Sequence, residues 1–261
     1  MKTLYILLLP VLVLACNDAG DTPKTTGIDS PISESNKGST STGPCSKMIF
    51  FQKGAEVEAT SYNAEGKEIS KQITKILEVR NENGVTVADV EGTDRLNNGE
   101  EKPAMHYSYK CDGDKIYFDI ASMFRSEKKD GDAGFESSTI EYPINVKEGE
   151  TLPDVTGVMR SEKDGKTSEM KYHFKDRKVA AKEEITTAAG TWNCYKISNT
   201  VEVELNIPGL DENSKRLMKE MQSKTKNETF TWFAPEFGIV KMEMYLNGKL
   251  STRNEVTSIK R

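Results

Sequence analysis

Apolar and polar residues alternate with a period of two along most of residues 45–261, which restricts this part of the chain to extended structure with one buried face. Ala55, Val57 and Ala59 alternate with Glu56, Glu58 and Thr60, and Met105, Tyr107, Tyr109 and Cys111 with His106, Ser108 and Lys110. Val201, Val203 and Leu205 stand against Glu202 and Glu204. Val240, Met242, Met244 and Leu246 stand against Lys241, Glu243 and Tyr245. Successive strand side chains point to opposite faces, so these segments predict an antiparallel sheet with one apolar and one wet side. The turn chemistry agrees. Leu246-Asn247-Gly248-Lys249-Leu250 centres Asn-Gly in a two-residue hairpin, Tyr62 to Lys67 reads as a looser hairpin, and Cys111-Asp112-Gly113-Asp114 as a tight one. The fold class is mainly β, a single antiparallel sheet domain.

One segment departs from period two. Between Asp211 and Gln222, Leu217, Met218 and Met221 fall at helical spacing behind Leu210, and Asp211 is placed to cap the first turn. This predicts one short amphipathic helix whose apolar stripe covers the open face or end of the sheet. A short helical turn is also expected near Ile120 to Phe124.

The N-terminus has a different character. Lys2 and an apolar run from Leu4 to Ala15 lead into Val13-Leu14-Ala15-Cys16, the pattern of a bacterial lipoprotein signal peptide ending in a lipobox. A run of this length is too short to span a hydrocarbon core, which needs about 20 apolar residues. Residues 1–15 are therefore read as a cleaved leader and Cys16 as the lipidation site. Residues 16–44 are dominated by Ser, Thr, Gly, Pro, Asp and Asn and read as a disordered, lipidated tether. Residues 45–261 read as the β domain. Loss of Lys2 with the leader takes the formal charge from -5 to -6, and Lys and Arg are interspersed with Asp and Glu throughout. This pattern predicts no nucleic-acid binding, which requires clustered basic residues. The expected address is the bacterial cell envelope, lipid-anchored, at the outer membrane.

The order Cys45, Gly54, Tyr62 to Lys67, Lys110-Cys111-Asp112-Gly113, Tyr142-Pro143 and Gly149 to Asp154 resembles the TapB-like exported proteins of the Bacteroidota. So do the stretch from Ile185 to Ile197, with its Gly190-Thr191-Trp192, and Trp232-Phe233-Ala234-Pro235 with Gly238-Ile239-Val240-Lys241. The resemblance covers essentially all of residues 45–261. It implies a sheet curled into a half-barrel or partly open barrel, exported, with no established enzymatic activity.

Chemistry is sparse. His106 and His173 lie on the polar sides of expected strands, and no nucleophile elbow, zinc-type His pair, phosphate loop or dinucleotide fingerprint occurs. No catalytic residue, metal or cofactor is assigned, and Asp112-Gly113-Asp114 is read as a turn in preference to a calcium site. With Cys16 lipidated, Cys45, Cys111 and Cys194 remain; a Cys45 to Cys111 disulfide would pin the start of the domain to its sheet, with Cys194 a buried core thiol. The apolar face around Trp192, Trp232, Met242 and Met244 is the candidate binding surface, because adaptable methionines suit irregular apolar contacts. Two functions follow. One is a membrane-anchored, non-enzymatic binding or scaffold module for an apolar ligand, a lipid or an envelope protein partner. The alternative is an envelope hydrolase whose site brings His106 or His173 to a Ser or Asp and a second carboxylate.

Overall fold

The computed structural model describes residues 44–119, 135–136, 139–163 and 166–261. The leader, Cys16, nearly all of the tether and the turn expected at Ile120 to Phe124 lie outside the described residues. The described chain opens with two 3-10 turns, Pro44–Lys47 and Ile49–Phe51. Thirteen strands follow: β1 (Glu56–Asn63), β2 (Glu68–Glu82), β3 (Val85–Leu96), β4 (Met105–Cys111), β5 (Lys115–Asp119), β6 (Phe135–Glu136), β7 (Thr139–Pro143), β8 (Val155–Lys163), β9 (Lys166–Thr187), β10 (Gly190–Asn206), β11 (Asn227–Ala234), β12 (Gly238–Leu246) and β13 (Lys249–Lys260). The helix α1 (Glu212–Lys224) interrupts them between β10 and β11.

Hairpin chemistry sets the topology. Asn247 and Gly248 adopt φ 51° and 76°, and Asn83 and Gly84 φ 52° and 89°, the left-handed pairs that match a two-residue connection to the strand twist. Asp112 closes the β4–β5 turn by accepting the backbone N–H of Asp114 at 2.9 Å and of Lys115 at 2.8 Å, an Asx turn. Every pairing is antiparallel, in the order β6-β8-β9-β10-β11-β12-β13-β1-β2-β3-β4-β5-β7. First and last long strands, β1 and β13, therefore zip together in the middle of the sheet.

The sheet curls until its ends approach, giving a nearly closed barrel. Arg177 on β9, 2 % exposed, donates to the carbonyl of Glu141 on β7 and to that of Pro153, both at 2.8 Å. Tyr142 on β7 stacks on Phe233 of β11 with ring centroids 5.4 Å apart. The segment between β7 and β8 also pairs with β9, through Leu152 N–H to the Arg177 carbonyl at 2.8 Å and Val179 N–H to that of Glu150 at 2.9 Å. Gly149 turns the segment with φ 85°.

The two 3-10 turns plug one end of the barrel. Met48, Ile49 and Phe51 are buried, and Phe50 packs on Tyr109 and Phe237 with centroids 5.0 and 5.5 Å away. A disulfide of S–S 2.05 Å joins Cys45 in this plug to Cys111 at the end of β4. The Asn83-Gly84, Asp112-Gly113 and β11–β12 turns sit at the plugged end. The β1–β2 and β12–β13 hairpins and α1 sit at the other, called here the far end.

Helix α1 forms where the periodicity places it. The Asp211 carboxylate accepts the Ser214 hydroxyl at 2.6 Å and the backbone N–H groups of Ser214 and Asn213 at 3.0 Å each, and these hydrogen bonds, the hydroxyl's foremost, hold its pKa below the usual carboxylate value. The expected seating on the sheet is found in part: the helix packs against β10 with Leu210 and Met218 half-buried, whereas Leu217 is 59 % exposed.

Candidate functional site

Burial on the inner face falls from the plugged end to the far end along strand after strand. On β12, Val240 is 1 % exposed, whereas Met242 and Met244, successive residues on the same side, are half-buried. On β10, Ile197 is 2 % exposed and Val201, Val203 and Leu205 are half-buried. The register confirms that these side chains share a face: Met242 and Ile197 both oppose buried Thr231, and Met244 opposes buried Thr229. Ile76 and Val90 are closed in at the plugged end of β2 and β3, while Gln72 and Leu96 nearer the far end are partly open. The plug closes one end of the barrel; toward the other, Met242, Met244, Val201, Val203 and Leu205 are half-buried, while Thr229, Tyr172 and Asp94 remain buried.

Among the residues expected to form one apolar face, the structure brings together two pairs on opposite sides of the sheet. Trp232 opposes Lys241 and Lys196, one residue out of step with Met242, so it points away from Met242 and Met244. Its ring lies between lysine ammoniums, with Lys241 Nζ at 4.4 Å and Lys196 Nζ at 4.9 Å from the centroid, and its Nε1–H donates to Glu183 at 2.5 Å. The aliphatic stems cover the indole, which is 3 % exposed although it faces outward. Trp192 lies on the same side of β10 as Lys196, packs against Phe237 at 5.4 Å, and covers Gly190. The tryptophans thus build the outer wall, and the methionines belong to the interior. Cys194, between Trp192 and Lys196 on β10, is buried and unpaired. Burial, with Glu183 nearby, pushes its thiol up to about 12, so it is an inert core residue.

The two histidines are separate. His106 on β4 has Nε2 4.0 Å from Glu91, and His173 on β9 has Nδ1 3.1 Å from the Thr156 hydroxyl. Each sits on the charged outer face among pairs such as Lys175 with Glu202 and Arg160 with Glu169. A cleft of about 320 Å³ lies between the β4–β5 turn and the β7–β8 segment, lined by Asp114, Lys115, Glu141, Glu150 and Pro153 among others. Lys115 spans part of it, 2.6 Å from Glu141. No group of three or more metal-ligating side chains is found among the described residues.

The interior also holds a group that period-two reading passed over. Asp94, opposite Gln72 and two residues from the far end of β3, is 9 % exposed on the side occupied by Val90 and Gly92. It accepts a hydrogen bond from the Gln72 amide, yet burial dominates and raises its pKa above the usual carboxylate value. Its signal in the sequence is Val90-Glu91-Gly92-Thr93-Asp94, where an acid falls in phase with a core valine.

The described residues thus form a curled, nearly closed antiparallel sheet with one end plugged. The chain belongs to the DUF3108-like family, whose model matches residues 52–256. Two crystal structures share the fold. One is from Bacteroides fragilis, described as an exported protein with a YmcC-like fold, 19% identical with TM-score 0.60, covering 82% of this chain and 100% of its own. The other is from Parabacteroides distasonis, described as a lipoprotein, 18% identical with TM-score 0.61, covering 82% of this chain and 99% of its own. No curated protein matches the chain.

Proposed function

We propose that the protein is a lipid-anchored, non-enzymatic module of the cell envelope, probing the space around its membrane on the 16–44 tether and holding an apolar ligand in the open half of its barrel. The decline of burial along the inner face carries this reading. Side chains such as Met242, Met244, Val201 and Val203 give up roughly 25 cal/mol of stabilisation for each Å² of apolar surface left wet, and an apolar ligand recovers it. Unbranched methionines adapt to such a ligand without a fixed cavity shape. The leader ending at Cys16, the resemblance to TapB-like exported proteins, and the descriptions of the two solved relatives support an envelope address; the outer membrane is the proposed compartment.

Two measurements test the reading. Native mass spectrometry of protein extracted from its own membranes is expected to show a co-purifying lipid or other apolar molecule. Titration of the folded protein with Nile red is expected to give saturable binding that weakens when Met242 and Met244 are both replaced by Gln. Absence of both a bound molecule and dye binding refutes the carrier role. For the anchor, Cys16→Ala is expected to move the protein from the membrane to the soluble fraction.

A further inference from the structure

Asp94 is a carboxylate in a place that disfavours one. It lies in the inner wall near the mouth of the open half, where the same strand face carries Val90 and Gly92, and where Met105 of β4 stands opposite Gly92. A carboxylate offers about four acceptor sites, and the Gln72 amide uses one of them. Among the described residues no cation pairs with it: the neighbouring Arg95 is held by Glu101 at 2.5 Å and Lys102 by Glu100. Thr74 and Tyr107, the polar groups next along the wall, are turned toward each other, with hydroxyls 3.4 Å apart. Burying such a group is costly unless a donor meets it, and the wall leaves that donor to come from elsewhere.

Resting on the carrier reading above, we propose that Asp94, positioned by Gln72, is a head-group station at the mouth, and that the ligand is a long-chain amphiphile whose head donates hydrogen bonds, an ammonium or a hydroxyl. The tail lies along the apolar wall of Met242, Met244 and Val201, and the head meets the carboxylate. Amphiphiles with a carboxylate or phosphate head are disfavoured, since they bring a second anion to an already buried one. The interaction is reversible association, with no bond made or broken.

The test is displacement of Nile red from the mature, folded protein by dodecylamine, dodecanol and dodecanoate, below their aggregation concentrations. A charge-assisted hydrogen bond corresponds to tenfold or more in affinity, so the amine and the alcohol are expected to displace the dye at about one-tenth the concentration of the acid. Asp94→Asn is expected to abolish the preference for the amine over the acid while leaving dye binding intact. Asp94→Leu, matched in bulk but apolar, serves as a second variant and is expected to lose the preferences for both amine and alcohol. If dodecanoate competes as well as dodecylamine, or if Asp94→Asn keeps the preference, the station is refuted and the carrier reading stands. If the wild-type protein binds no dye, the carrier reading itself fails.

Discussion

Removing the Cys45–Cys111 disulfide separates the contribution of the plug from that of the sheet. The plug makes its backbone hydrogen bonds largely within itself, Met48 N–H to the Cys45 carbonyl and Phe51 N–H to that of Met48, and adds no strand to the ladder. It is held by the buried side chains of Met48, Ile49 and Phe51, by the ring contacts of Phe50 and by one covalent bond. The bond closes a loop with sequence separation 66, and in the chain-entropy model a loop of that size lowers the free energy of folding by about 4 kcal/mol. For a domain above 150 residues each kcal/mol shifts Tm by roughly 2–4 °C, so the double variant Cys45→Ala/Cys111→Ala is expected to melt roughly 8–16 °C lower. Alanine avoids burying a hydroxyl at Cys111, which is fully enclosed. Because both sulfurs are buried, reductant added to the folded wild type is expected to change little until the domain opens, so the comparison uses the variant and circular dichroism melts at two wavelengths. A drop under about 3 °C refutes the loop-entropy argument. A two-step melt, with the plug released before the sheet, shows that the plug is a separate unit and refutes the single cooperative core.

Further substitutions test the remaining parts. Gly238 has φ 121°, and a Cβ there meets Phe50 Cδ2 at 2.9 Å; Gly238→Ala is expected to cost about 2–3 kcal/mol in urea unfolding by straining the backbone and displacing the plug. Arg177→Met strands the carbonyls of Glu141 and Pro153 and is expected to cost about 3 kcal/mol, seen as a lower denaturant midpoint with intact secondary structure at zero denaturant. Trp232→Phe removes the Nε1–H bond to Glu183 and is expected to cost about 1–2 kcal/mol, while leaving Nile red affinity unchanged, since the ring is on the outer wall. Asp94 has a raised pKa in the fold, so its contribution to stability is fully present below the unfolded carboxyl pKa and lost as pH rises through the folded value. Asp94→Asn is accordingly expected to raise Tm at pH 7, with the gain vanishing near pH 3; a constant gain at both pH values overturns the assignment.

Much of the fold is written in local patterns. Strands β4, β12 and the outer half of β10 alternate as read, and Asn247-Gly248 and Asp112-Gly113 make the turns their chemistry demands; on β1 the register shifts between Glu58 and Ala59, so Thr60, expected on the wet side with Ala59 buried, is buried at 1 % exposure. A second Asn-Gly, at Asn83-Gly84, carries the same signal and makes the same kind of hairpin; the charged residues around it, Arg80 to Glu82, hide the strands it joins. Helix α1 was legible through Asp211 and the spacing of Leu217 and Met218. What its stripe touches was not, because helical periodicity records an apolar face whether or not anything covers it.

The plug and the interior were the parts that local patterns could not give. Met48-Ile49-Phe50-Phe51 is a continuous apolar run without a period, and such a run is equally at home in a buried strand, a helix or, as here, a 3-10 turn inserted into a barrel. Trp232 and Met242 look alike by composition, and which side each takes is shown by the pairing of β11 with β12, in which Thr231 opposes Met242 and Trp232 opposes Lys241. A single shift of register exchanges the two faces of a strand, so the pairing, which leaves no mark in hydropathy, decides whether an aromatic lines the interior or the outer wall. Asp94 was hidden for the complementary reason: an acid reads as a surface residue until the strand's phase, fixed by Val90 and the Gln72 pairing, turns it inward. The residues that determine what the open half can hold are therefore those whose orientation is set by the register of β11 with β12 and of β2 with β3, which the hydropathy of either strand alone does not record.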